Sequence, residues 1–181
     1  MLEVAPAVAP ADTPGVVFVG LKARHCFSNA QRQVIALIEA QGVRGDVHFC
    51  AQPDPRNLRQ VHLLQAELLD QLCGAGFEVR PGDLGENILT RGLPLPDLPL
   101  GTRLRLPSGA VLKLVGLRNP CLQLERFRKG LAKAVMAGRP GVRKTSRAGV
   151  LATVVASGCA RPGHPIEVAL PRRPHRPLPG I

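Results

Sequence analysis

Leu104-Arg105-Leu106-Pro107-Ser108-Gly109-Ala110-Val111-Leu112-Lys113-Leu114-Val115 is the stretch that decides the fold. Leucine and valine alternate with arginine and lysine on both sides of Ser108-Gly109. That is the pattern of two half-buried strands joined by a hairpin turn. Working outward, Val16 to Leu21 is β-branched, short and preceded by Gly15, which predicts another strand. Val34 to Glu39 fits either a strand or a short helical turn, and Gly42 to Asp46 reads as a turn-rich loop. Asn57 reads as a helix N-cap, followed by Leu64, Leu68 and Leu72 at helical spacing before Gly74 and Gly76. The segment Arg59 to Leu64 alternates first, so it starts as strand and turns helical near Gln65. From Gly76 to Gly109, Pro and Gly recur every few residues and leave no room for helices. Leu122 to Met136 regains helical spacing, with Leu124, Phe127, Leu131 and Val135 on one face. Val150–Val155 and Ile166–Leu170 close the pattern as strands. The fold class expected is mostly β with helices, a single domain built as a β-barrel. Residues 1–15 are expected to be a flexible N-terminal segment, 16–171 the domain, and 172–181 a Pro/Arg-rich tail.

The chain has 181 residues, 45% apolar, enough for a core of its own. It contains no Trp, no Tyr and five Phe, which speaks against the aromatic stacking platforms of single-strand nucleic-acid binders. Its net charge of +11 is unevenly placed. Residues 1–97 carry 8 Lys+Arg against 11 Asp+Glu, whereas residues 98–181 carry 16 against two, Glu125 and Glu167. The second half therefore suits an anionic partner such as nucleic acid, acidic lipid or a phosphate-bearing cofactor, or else simply displays solvated arginines. The first residues lack the charged and apolar regions of a signal peptide, and no apolar run approaches the roughly 20 residues that span a bilayer. Cys26, Cys50, Cys73, Cys121 and Cys159 are scattered, without a CxxC pair. This gives no support to structural zinc and suits reduced thiols in a cytoplasmic protein.

Four groups of residues carry candidate chemistry. Arg118-Asn119-Pro120-Cys121 follows the best strand, and Arg118, Arg126 and Arg128 would favour a thiolate fit for metal ligation or sulfur transfer. A buried cysteine acting as a small hydrophobe is the plainer reading. In Pro81-Gly82-Asp83-Leu84-Gly85-Glu86-Asn87 two glycines permit tight turns, and the loop either binds a ligand or braces itself through Asp83 and Asn87. In Gly45-Asp46-Val47-His48, the Asp and His share a face if the chain is extended, as an acid/base pair or as structure. Arg139, Arg143, Lys144 and Arg147 form a basic loop suited to phosphate or simply to water.

Taken together, the runs PGDLGENILTRGLPLPDLPLGTRLRL (81–106), LVGLRNPC (114–121) and AGVLATVVASGCARPGHPIEV (148–168) resemble the MOSC domain. The upstream RHCFSNAQ (24–31), GVRGDVH (42–48) and NLRQVHLLQAELLDQL (57–72) are similar to stand-alone bacterial MOSC proteins. The resemblance covers about residues 16–171. It implies a β-barrel in which Cys121 stands at the family's functional cysteine, as molybdenum ligand or persulfide carrier. It further implies a molybdenum cofactor (molybdopterin) whose phosphate meets basic residues, and an electron-donor protein or a cysteine desulfurase as partner. Reduction of N-hydroxylated compounds is the activity implied, which would make the protein a molybdenum-dependent oxidoreductase or a sulfurtransferase-like enzyme. On this reading Cys121, Asp46 and His48 are catalytic and Cys121 is the metal ligand. Gly85, Glu86, Asn87, Arg118, Asn119, Arg143, Lys144 and Arg147 would bind the cofactor. The family's association with pyridoxal phosphate points to no residue here. No membrane partner is implied, and a nucleic-acid-binding module is the remaining alternative. Two departures stand out. The stretch between His48 and Asn57 is shorter than in related chains, which implies a pocket either partly missing or differently closed, and Cys50 is unusual there and would offer a second thiol. Gly163-His164 stands where a Gly-Asp is usual.

Overall fold

The computed structural model describes residues 13–24, 28–120, 122–137 and 145–181. The strands are short, as the Pro and Gly spacing dictates. The first half contains β1 (Gly15–Leu21), β2 (Ala30–Arg32), β3 (Ile35–Ile38), β4 (Gly42–Val43), β5 (Val61–Gln65), helix α1 (Ala66–Gly74) and β6 (Ile88–Arg91). The second half contains β7 (Arg103–Arg105), β8 (Val111–Leu117), α2 (Leu122–Phe127), α3 (Leu131–Ala134), β9 (Met136–Ala137), β10 (Thr145–Ser146), β11 (Val150–Ala156), β12 (Gly158–Ala160) and β13 (Glu167–Ala169). Eight of the strands form one sheet in the order β13-β7-β8-β11-β5-β6-β1-β2, mostly antiparallel. Only β5 and β6 pair in parallel, because α1 carries the chain back between them.

The pleat sorts side chains between two cores. Val19, Leu63, Ile88, Leu117 and Val150 lie in register across the sheet and enter one apolar cluster. Their neighbours Phe18, Leu64 and Leu89 point to the other face, into a second cluster with Leu68, Leu72, Leu124 and Leu131 of the three helices. A register shift between Val16 and Phe18 returns Val16 to the first cluster. His62 and Leu151, facing each other across β5 and β11, project with Leu64 toward the helix side. That side holds the functional cavity.

The alternating hairpin is present as β7 and β8, with Arg103 opposite Lys113 and Arg105 opposite Val111. The strand-then-helix reading also holds, β5 passing into α1 at Gln65. The expected closed barrel is corrected: the ladder does not close among the described residues. The sheet bends so that the segment before β13 reaches β1, with Val16 N donating to His164 O and Ile166 N to Pro14 O. Pro14 has no N–H to return the bond that its carbonyl accepts from Ile166, and the contact stays an isolated bridge at Gly15 and Pro165. The single helix expected over Leu122–Met136 is two helices, because Gly130 takes a left-handed φ of 84° that starts α3 anew. Asn57 is not a helix cap. Its Oδ1 accepts from Arg59 N in a local turn, and its Nδ2 donates to His48 O and Cys50 Sγ. Residues 172–181 dock rather than trail: Leu178 is buried, Leu117 N donates to Pro179 O, and Asn119 N donates to Ile181 O.

Candidate functional site

Strand ends from both halves of the chain converge on one cavity of about 790 Å³. Lys22 leaves β1, Asp46 and His48 lie in the turn after β4, and Arg59 and His62 come from the start of β5. Gly85 and Asn87 lead into β6, and Arg118, Asn119 and Pro120 follow β8. Leu122 and Gln123 open α2, and Leu151 comes from β11. Lys22, Arg59 and Arg118 are cationic, and Asp46 is the one carboxylate among these lining residues.

Asp46 is buried and fully engaged. Its Oδ1 accepts from His48 N at 3.0 Å and from the His48 ring Nδ1 at 3.1 Å. Its Oδ2 accepts from Lys22 N and from Asn87 Nδ2, both at 3.1 Å. Burial opposes ionisation, but the bonds from His48 and Lys22 outweigh it and hold the carboxyl below the usual aspartate range. The pairing expected from Asp-x-His is therefore present, though it is made in a turn rather than along a strand, with Phe49 N bonded back to Asp46 O. Donation from Nδ1 to a carboxylate leaves the other ring nitrogen of His48 as the lone-pair side, on a side chain 46% exposed.

Asn87 is the hub of the opposite wall. Its Oδ1 accepts from His62 N at 3.0 Å, and its Nδ2 donates to Gly20 O at 3.2 Å as well as to Asp46. Glu86, expected to bind cofactor, is turned away from the cavity and wholly buried. Its Oε1 accepts from Gly82 N at 2.6 Å, closing the Pro81–Asn87 loop, while Oε2 is buried without a partner. Desolvation, partly offset by backbone donors, pushes its pKa up to about 7. Alternation explains this: Gly85 and Asn87 face the cavity, and the residue between them faces inward.

Arg118 is fixed by its guanidinium, whose Nη1 donates to Leu84 O at 2.8 Å, and by its carbonyl, which accepts from Ser146 Oγ. Arg147 turns to Gln71 Oε1 at 2.7 Å and is not among the residues lining the cavity. Cys121, Arg139, Arg143 and Lys144 lie outside the described residues, although Pro120 and Leu122, on either side of Cys121 in sequence, both line the cavity. Cys50 is not part of the lining. The short segment after His48 folds back on itself, Cys50 N donating to Gln41 O, so the shortened stretch still closes. Lys22, Arg59, His62 and Gln123 line the site without having been marked by the sequence patterns. Arg59 and His62 stand within the Asn57–His62 run, but Lys22 carries no local signal beyond a cation following a strand. Among the described residues no group of three His, Cys, Asp or Glu side chains forms a metal site, and no helix is long and apolar enough to cross a membrane.

A mostly β domain with one cation-rich cavity at converging strand ends is the class that these observations define. The MOSC domain model matches residues 45–167, and the chain belongs to that family. A Bacillus subtilis (strain 168) relative, YuaD, is 28% identical over 150 residues, covering 70% of this chain and 76% of its own. Its name assigns it provisionally to metal-sulfur cluster biosynthesis. The crystal structure of B. subtilis YuaD superposes with a TM-score of 0.73 at 21% identity, covering 88% of this chain and 97% of that one. YiiM from Geobacillus stearothermophilus gives 0.63 at 18%, covering 86% and 75%, and YiiM from Escherichia coli gives 0.60 at 21%, covering 89% and 72%.

Proposed function

We propose that this cavity binds the molybdenum cofactor, with the Cys121 thiolate as protein ligand to the metal. The observation that carries the reading is the charge of the lining: Lys22, Arg59 and Arg118 surround a space whose size falls in the usual range for ligand pockets, roughly 300–1,000 Å³. A pterin bearing a phosphate suits that donor set: Lys22, Arg59 and Arg118 would hold its anion, and the Gly85 backbone and the Asn119 amide would offer hydrogen bonds. A soft thiolate is the protein ligand that suits such a metal. When bound, the group would supply two-electron redox chemistry for substrates such as N-hydroxylated compounds. Asp46 would hold the His48 ring in one tautomer, leaving its second nitrogen to accept a proton from, or return one to, a ligand in the cavity. An electron-donor protein would complete the cycle.

The test is metal and pterin analysis of protein purified from a molybdopterin-competent host. We expect molybdenum and pterin to co-purify with the wild type, and molybdenum to fall to background in Cys121→Ser. Absence of both from the wild type overturns the proposal.

The name of YuaD favours a second reading, in which Cys121 carries sulfur. Its thiolate would attack the terminal sulfur of a cysteine desulfurase persulfide, forming a Cys121 persulfide and releasing the donor thiolate, with no net redox change. Incubation with a desulfurase and cysteine should then add about 32 Da, one sulfur atom, to a peptide containing Cys121. No adduct would dismiss this alternative.

A further inference from the structure

His62 is buried at the floor of the cavity with both ring nitrogens against carbonyl oxygens. Nδ1 lies 3.0 Å from Gly85 O and Nε2 lies 2.9 Å from Ala148 O. A neutral imidazole has one N–H, so it can satisfy only one of these carbonyls and must set a lone pair against the other. An imidazolium donates to both. The ring cannot swing aside easily, since it lies directly over Gly149, where a Cβ would fall on Nε2. The geometry thus fits the charged form.

The surroundings oppose that form. Desolvation first, then the Arg118 charge and, more weakly, Lys22 drive the pKa down to about 3, against the pull of the two carbonyls. Among the described residues, the other charged and titratable groups about the ring's neighbours are Asp46 and His48 after β4, Arg59 ahead of β5, Glu86 beside the accepting Gly85, and Arg147 beside the accepting Ala148. Asp46 is already spent on four donors, and Arg147 is turned to Gln71. Burial is the larger obstacle and remains, whereas the cationic lining is the part that an anion in the cavity can offset.

We infer that an anion entering the cavity stabilises the imidazolium form of His62, so that anion binding is linked to proton uptake and strengthens as pH falls, with the ring in that form donating to both the Gly85 and the Ala148 carbonyl. In that form His62 is a positioning residue, donating at once to the loop before β6 and to the segment leading into β11. The inference rests on the reading of the cavity as an anion site, but not on which anionic ligand fills it.

Sulfate is a suitable probe, because it stays a dianion throughout the range titrated. Imidazole nitrogen resonances of 15N-labelled full chain would be followed against pH, with and without saturating sulfate. We expect the His62 midpoint to rise by at least one pH unit. Sulfate affinity should correspondingly increase as pH falls, about tenfold for each unit of that shift. His62→Gln should lose this increment. Sulfate shifts at Lys22 and Arg118 with an unmoved His62 midpoint would overturn the inference and leave the anion site standing. No sulfate binding at all would overturn both. Proton uptake in a protein that never acquires molybdenum would overturn only the cofactor assignment.

Discussion

The two walls of the cavity are built on opposite principles. The wall from residues 46–87 is an interlocked polar core: Asp46 accepts four hydrogen bonds, Asn87 makes three through its side chain, and Glu86 seals its own loop. The wall from residues 118–120 and 122–123 is pinned at its start, where Arg118 bonds Gly149 O and Leu84 O and Asn119 N bonds Ile181 O, while side chains at its far end face out. Asn119 and Gln123 are exposed and Leu122 is 78% exposed. One wall sets the shape of the site by satisfying buried polar groups among themselves, and the other presents side chains at the cavity rim. Of the motif residues most conspicuous in the sequence, Asp46, Glu86 and Asn87 thus spend their polar atoms mainly on the protein itself, while the cavity lining also presents the cations Lys22, Arg59 and Arg118.

Asn87→Ala tests this contrast hardest. It orphans the buried His62 N–H and Gly20 carbonyl and removes a donor from Asp46, and each such loss costs about 1–3 kcal/mol. We expect a loss of about 4 kcal/mol in urea denaturation, much of the stability of a domain this size. A loss below about 1 kcal/mol would erase the distinction between the walls, since that is the scale of an ordinary surface change.

Glu86→Gln comes next, and its signature is pH dependence. In the folded chain the carboxyl titrates near 7 rather than at its ordinary 4.5, so the native state holds a proton that the unfolded chain has released. Its stabilising contribution is complete below the unfolded value and is lost as pH rises from there through about 7, amounting to about 3 kcal/mol. His62 works the other way: its depressed pKa gives stability that is present above 6.5 and lost as pH falls toward about 3. Subtracting the Glu86→Gln variant from wild type isolates the carboxyl. The variant should gain stability relative to wild type from pH 5 to pH 8, and a flat difference would show that the carboxyl is ionised in the fold.

Much of this architecture was legible. Strand periodicity in 104–115 survives because one face is buried and polar residues occupy the other, whereas 150–155 reads as a strand through its short β-branched apolar run. The passage from strand to helix at Gln65 was legible because the period changes within one short run. Asp46 and His48 were found as a pair because two residues suffice to make it. What escaped depended on contacts across long stretches of chain. Asn57 looks like a helix cap, but the carbonyl and thiol it bonds belong to residues 48 and 50. Gly130 breaks a helix whose apolar spacing continues through it. His62 reads as one polar residue in an apolar strand, and only the fold brings Gly85 and Ala148 to its two nitrogens.

Leu122→Ala carries the smallest expected effect on stability and sharpens the comparison from the other side. The side chain is largely in water, so truncation removes little buried apolar surface, and stability should stay within about 0.5 kcal/mol of wild type. It nevertheless lines the cavity directly after Cys121 and is the most exposed large hydrophobic side chain among the described residues. A large apolar group left in water at a cavity rim gains its burial only when something fills the cavity. If the cavity holds the cofactor proposed above, the cost of the substitution should therefore appear in ligand retention: molybdenum content after dialysis should drop while the denaturation midpoint does not move. Should the midpoint fall as far as in Asn87→Ala, the outer wall would be as structural as the inner one, and the division of labour between them would fail.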